Sequence, residues 1–224
     1  MNMMRLTRDI LALAGLVILL GCDSESTSRF QIQYRGPDLR VFLEPGARTV
    51  AFPVVTREFT SLKVDRSSRR LEELLGVHQP GVPVIPFEDF YATLVDSGAD
   101  KPLVEALNRF YKDGEIPVKA AERVAQCGAK YEPKFFLFLR LDRAEVYRDS
   151  KRDNKIQLLI SGKLYYIRKK EVVLSFVCAA FARNKDRKAL PGVAELSGLA
   201  VEQIARGLPS DPGKSVLLEK RDDW

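Results

Sequence analysis

The sequence predicts an α+β fold, with helices packed on a mixed or antiparallel sheet in the order β-α-β-α-α-β-β-β-α. Two observations carry this expectation. Three consecutive segments between residues 135 and 181 place apolar side chains on one face with the two-residue period of a strand, and amphipathic segments of helical period stand before and after them. With 46% hydrophobic and 29% charged residues among 224, the chain has the make-up of a globular protein, and residues 30–224 suit a single domain.

Each element has its own grounds. FQIQYRGPDLRVFL, from Phe30, reads as two short alternating segments around Gly36-Pro37-Asp38, a hairpin composition. RTVAFPVV is an apolar run whose Pro53 favours an edge or a strand end. SSRRLEELLG offers Ser67 or Ser68 as a helix cap and Gly76 as a stop, and GVPVIPF is a short strand bounded by prolines. DKPLVEALNRFYKDG has Asp100 as cap, Pro102 in the first turn, a face of Leu103, Leu107, Phe110 and Tyr111, and Gly114 as its end. IPVKAAERVAQCGA repeats that grammar with Pro117, Val118, Ala121, Val124 and Ala125.

The three strands follow. FFLFLRLDRAEVY places Phe135, Leu137, Leu139 and Leu141 on one face, IQLLISGKLYYI places Ile156, Leu158, Ile160, Leu164 and Tyr166 together, and VVLSFVCAAF groups Val172, Leu174, Phe176 and Cys178. They read as an antiparallel meander. Phe136 and Phe138 lie opposite the leucines, so that strand is either covered on both sides or offers its second face to a partner. A last helix begins at Pro191 and carries a stripe of Val193, Leu196, Ala200, Ile204 and Leu208 before Pro209. The tail KSVLLEKRDDW is either a terminal strand or loose.

The start of the chain supplies an address. Arg5 and Arg8 precede an uncharged apolar run, Ile10 to Leu20, that spans only about half of a ~30 Å hydrocarbon core, so it reads as a secretory leader and not a permanent span. Leu19-Leu20-Gly21-Cys22 resembles the lipobox of bacterial lipoproteins. The resemblance implies that residues 1–21 are a signal peptide and that Cys22 is acylated, becomes the new N-terminus and anchors the chain in a membrane. Asp23 resembles the signal that retains enterobacterial lipoproteins in the inner membrane, so the expected location is the bacterial envelope facing the periplasm, leaning to the inner membrane. Residues 22–29 read as the lipidated terminus and a short polar linker; seven residues reach at most about 25 Å, which keeps the domain close to the bilayer.

Chemistry is hard to find. Cys127 and Cys178 form either a structural disulfide or two separate buried thiols; with no Cys-x-x-Cys pair and one histidine, no metal site is expected. His78, the only histidine available as a catalytic base, sits in the turn-like GVHQPG, and neither a Gly-x-Ser-x-Gly elbow nor a phosphate-binding glycine loop occurs. The adjacent acids Glu72-Glu73, Glu88-Asp89 and Asp222-Asp223 point in different directions and read as surface charge. No catalytic residue and no cofactor is therefore expected.

A meander would bring the loop near 148–155 and the segment 183–188 to one end of the sheet. That end gathers Arg148, Lys151, Arg152, Lys155, Arg183, Lys185, Arg187 and Lys188 against Asp149, Asp153 and Asp186. Two well-solvated turns would explain such a cluster; so would a contact with anionic lipid, glycan or an acidic protein. The formal charge of +6 suits nucleic acid too, but a leader sends the chain out of the cytoplasm.

The element order, Gly128-Ala129-Lys130 and LYYIRKKEVVLSF together resemble periplasmic lipoproteins of the curli-secretion and penicillin-binding-protein-activator type, over about residues 47–208. The expected role is a lipid-anchored accessory or adaptor lipoprotein that binds another envelope component. The resemblance also implies an alternative, a subunit of an oligomeric secretion or envelope-assembly complex.

Overall fold

A computed structural model describes residues 24–56, 66–148, 154–184 and 193–209. The expected α+β architecture is present: a six-stranded mixed sheet in the order β1-β6-β5-β4-β2-β3 with helices on both faces. The strands are β1 (Ser24–Arg35), β2 (Thr49–Ala51), β3 (Val84–Ile85), β4 (Phe135–Arg148), β5 (Asn154–Tyr166) and β6 (Glu171–Asn184). The helices are α1 (Leu39–Phe42), α2 (Arg66–His78), α3 (Phe87–Asp96), α4 (Asp100–Asp113), α5 (Val118–Cys127) and α6 (Val193–Gly207).

Strands β4, β5 and β6 form the expected antiparallel meander, and β2 and β3 add in parallel beyond β4. Pro53 falls just beyond β2, consistent with a strand end. Helices α2 and α6 cover one face, over a core that includes Phe135, Leu137, Leu139, Ile160, Leu164, Phe176 and Cys178. On the other face α3, α4 and α5 lie over a second core around Phe52, Phe90, Phe110, Phe136, Phe138 and Tyr165. The first half of β4 is thus covered on both sides, which explains why it reads FFLFL without alternation.

Four local expectations need correction. No hairpin forms at Gly36-Pro37-Asp38: β1 pairs with β6 and the chain turns into α1, because Leu39 and Phe42, three apart, are both buried against the first core. Ser24–Arg29, read as linker, is the first half of β1; its alternation of Ser26, Ser28, Phe30 and Ile32 continues the strand period upstream. The bulge between Leu164 and Tyr165 puts Val173 and Leu174 in the first core and turns Val172 to the second. Helix α2 starts before Ser67 and runs past Gly76 to His78, where the amide of buried Gln79 donates to the Leu208 carbonyl (2.8 Å) at the end of α6.

Helix α3 was not anticipated. Its signal is present: Phe87, Phe90, Tyr91 and Leu94 recur at helical spacing, and Glu88 and Asp89 occupy the first turn behind Pro86. Helix α4 ends as expected at Gly114, whose φ of 70° is the left-handed conformation that closes a helix.

Candidate functional site: the tip of the sheet

The register of the strands defines one end of the sheet. Ser24, Asn184, Asn154 and Arg148 form its last transverse row, and Glu25, Arg183, Lys155 and Tyr147 the row before it. Arg148, Lys155 and Arg183 are therefore brought to one tip, as a meander requires. Lys155 is half-buried there. Lys151, Arg152, Lys185, Arg187 and Lys188, with Asp149, Asp153 and Asp186, lie outside the described residues, as do Cys22, Asp222, Asp223 and the tail from Lys214. What sequence reasoning missed is that β1 begins in the same row. Cys22 stands two residues before Ser24, within about 7 Å of chain from the tip.

From the tip the sheet runs as a four-stranded blade, β1-β6-β5-β4. Its first-core face is covered by α6, which returns along β6. The opposite face carries half-buried Leu159, Val177 and Phe181, flanked by exposed Thr27, Arg29, Gln31, Arg143 and Glu145. Arg143 and Glu145 pair at 3.4 Å. At the foot of this region Asp142 accepts from Arg140 Nε at 2.5 Å and from Ser161 Oγ at 3.3 Å, occupying the bulge that bends β4 away from β2.

The cysteines are two separate thiols, not a disulfide. Cys178 lies in the first core and Cys127 packs against the second, so the sheet stands between them. Burial pushes the Cys178 thiol up to about 12, leaving it protonated and inert. The aromatic residues are core: Phe135 and Tyr166 stack at 4.9 Å on the first-core face, and Phe52, Phe136 and Phe138 cluster on the other.

Three of the adjacent carboxylates, Glu72, Glu73 and Glu88, are engaged in structure. Glu72 accepts the Phe87 N–H at 2.8 Å, Glu73 pairs with Arg70 at 3.1 Å and Glu88 with Arg69 at 2.5 Å. Burial raises Glu72 above the usual carboxylate range, and the Phe87 N–H works against that. His78 is half-exposed at the end of α2. Far from the tip, Lys169 Nζ lies 2.5 Å from Asp38 Oδ2; this bond holds Asp38 below its ordinary value and raises Lys169. Tyr165 is 2% exposed, its hydroxyl has no hydrogen-bond partner among the described residues, and burial pushes it up to about 12.

No protein-family model matches this sequence, and no curated protein matches it. Among solved structures, a PelC dodecamer from Paraburkholderia phytofirmans is 12% identical, with a TM-score of 0.43, covering 84% of this chain and 99% of its own. The lipoprotein GNA1162 from Neisseria meningitidis is 16% identical with a TM-score of 0.40, covering 71% and 98%. Protein XCC0632 from Xanthomonas campestris is 13% identical with a TM-score of 0.37, covering 79% and 88%. Likenesses this distant assign the chain neither family nor activity.

Proposed function

We propose that the chain is a lipid-anchored accessory protein of the bacterial envelope, tethered by an acylated Cys22 and binding another envelope component through its α+β domain. The anchor supplies local concentration and the domain supplies specificity. The observation that carries this reading is the position of Ser24 in the last row of the sheet, beside Arg148 and the strand ends of Lys155 and Arg183. A tether at Cys22 would therefore hold the basic tip against the headgroups, where each Lys or Arg near an anionic surface contributes about 1 kcal/mol. Arg148, Lys155 and Arg183 would then act as an electrostatic foot, strengthening with anionic lipid and weakening with salt.

The reading assigns no reaction to the domain. Its test is fractionation. Cys22→Ser is expected to move the protein from the membrane to the soluble periplasmic fraction, and mass analysis of the wild type is expected to show acyl chains on Cys22. A Cys22→Ser protein still wholly in membranes, or an unmodified Cys22, would overturn it.

A further inference from the structure

Both sides of the blade are unpaired among the described residues. β1 bonds only to β6. Beyond its bulge at Asp142, β4 bonds only to β5, because β2 stops at Ala51 and the last bridge on that side joins Val55 to Arg140. Free strand edges present rows of N–H and C=O groups that template another strand. The opposite margin of the sheet is defended differently: β3 is two residues long and runs at once into Pro86 and α3.

Strand direction selects which edges can meet. Each neighbour in β1-β6-β5-β4 is antiparallel, so β1 runs away from the tip and β4 runs towards it. Two copies standing on one membrane by the same end can therefore bring β1 of one beside β4 of the next in antiparallel fashion, with like faces continuing. In that posture β1 could meet another β1 only in parallel and with its faces reversed. The head-to-tail contact also keeps the more stable ladder.

Charge selects the register. Placing Arg29 opposite the neighbouring copy's Glu145 sets half-buried Phe30 against exposed Ala144, and Gln31 against Arg143. A slip of one residue would turn every side chain to the wrong face, and a slip of two would oppose Arg29 to Arg143 in one direction and, in the other, exchange the Arg29–Glu145 pair for Gln31 against Glu145. Within one copy Arg29 and Arg143 share a transverse row through Ala179 and Leu159. The selected register thus steps two residues, about 7 Å, per copy, a stagger of the kind that closing a sheet on itself requires.

We propose that copies of this chain join edge to edge, β1 of one to the outer half of β4 of the next, in a head-to-tail ring or arc whose repeating contact is Arg29 against Glu145. The inference rests on the shared membrane posture of the proposed function. The contact is heterologous, so each copy keeps one edge to give and one to receive.

The test uses the full chain in native membranes, with Cys127→Ser to remove the half-exposed thiol. Arg29→Cys with Glu145→Cys, mildly oxidised, is expected to give a ladder of linked dimers, trimers and larger species, while either single variant stays monomeric. Within one copy the two positions are three strand spacings apart, about 14 Å, beyond the reach of a disulfide. In detergent, Arg29→Glu is expected to reduce the assembly to monomers, and adding Glu145→Arg to restore it. Monomer only from the double-cysteine protein, dimers from Arg29→Cys alone, or no restoration by the charge swap would overturn the proposal. Fractionation reports on the tether separately: a double-cysteine protein that is soluble with Cys22 intact yet still forms the ladder defeats the anchor and spares the edge contact, and a membrane-bound double-cysteine protein without the ladder does the reverse.

Discussion

Gly162 on β5 offers the sharpest test of the first core. A Cβ built there would lie 2.1 Å from Cζ of Phe176 and 2.5 Å from its Cε2, well inside any real carbon contact. The ring has nowhere to retreat. Phe176 is fully buried with Phe30 4.8 Å away centroid to centroid, and Phe30 in turn presses on Gly207 of α6, where a Cβ would lie 2.4 Å from the ring. Two rings are thus held between two glycines. Gly162→Ala should cost about 1–3 kcal/mol through overpacking, in spite of the ~0.5–1 kcal/mol that alanine gains over glycine in a strand. With a urea m-value of about 2 kcal/mol/M, the midpoint of unfolding followed by circular dichroism should fall by roughly 1 M. Pairing the change with Phe176→Leu should recover part of the loss, a coupling that reports direct contact. A Gly162→Ala protein within about 0.5 kcal/mol of wild type, with no such coupling, would refute the described packing.

Two other outcomes are expected. Tyr165 ionises near 12 in the folded protein against 10.0 when unfolded, so the unfolded chain loses its proton first. The stability linked to this group is therefore whole below pH 10 and is lost as pH rises towards 12. Tyr165→Phe should remove that alkaline loss at little cost at pH 7, because no buried hydrogen bond is broken; an unchanged alkaline profile would contradict the buried hydroxyl. In the native protein an alkylating reagent should modify Cys127 and leave Cys178 untouched until denaturant is added, as peptide mass mapping would show; a mass two units low after non-reducing digestion would instead reveal a disulfide.

The parts of the fold legible in the sequence are those whose cause is local. Apolar residues at two-residue spacing along 135–178 encode three neighbouring strands, and Gly114 or Pro117 punctuates a helix within one turn of itself. What stayed hidden depends on distant partners. Nothing within SESTSRFQIQYR says that it pairs with β6, since its first six residues are all polar and carry no apolar alternation. The bulge that turns Val172 over leaves Val173 without an opposite residue on β5, an irregularity that an even two-residue reading of VVLSF does not include. The basic tip was partly legible because a meander fixes which turns share an end; the arrival of β1 at the same end was not, because it is a consequence of that distant pairing.

That pairing also orders events in time. The strand made first by the ribosome has as its one described neighbour a strand that emerges near the finish of synthesis, so the sheet cannot assemble from an early fragment. Long-range closure of this kind is slow. For the exported lipoprotein proposed above, such delay would be useful: the chain would stay loose while it crossed, and its blade would zip up only once the far strand had come through.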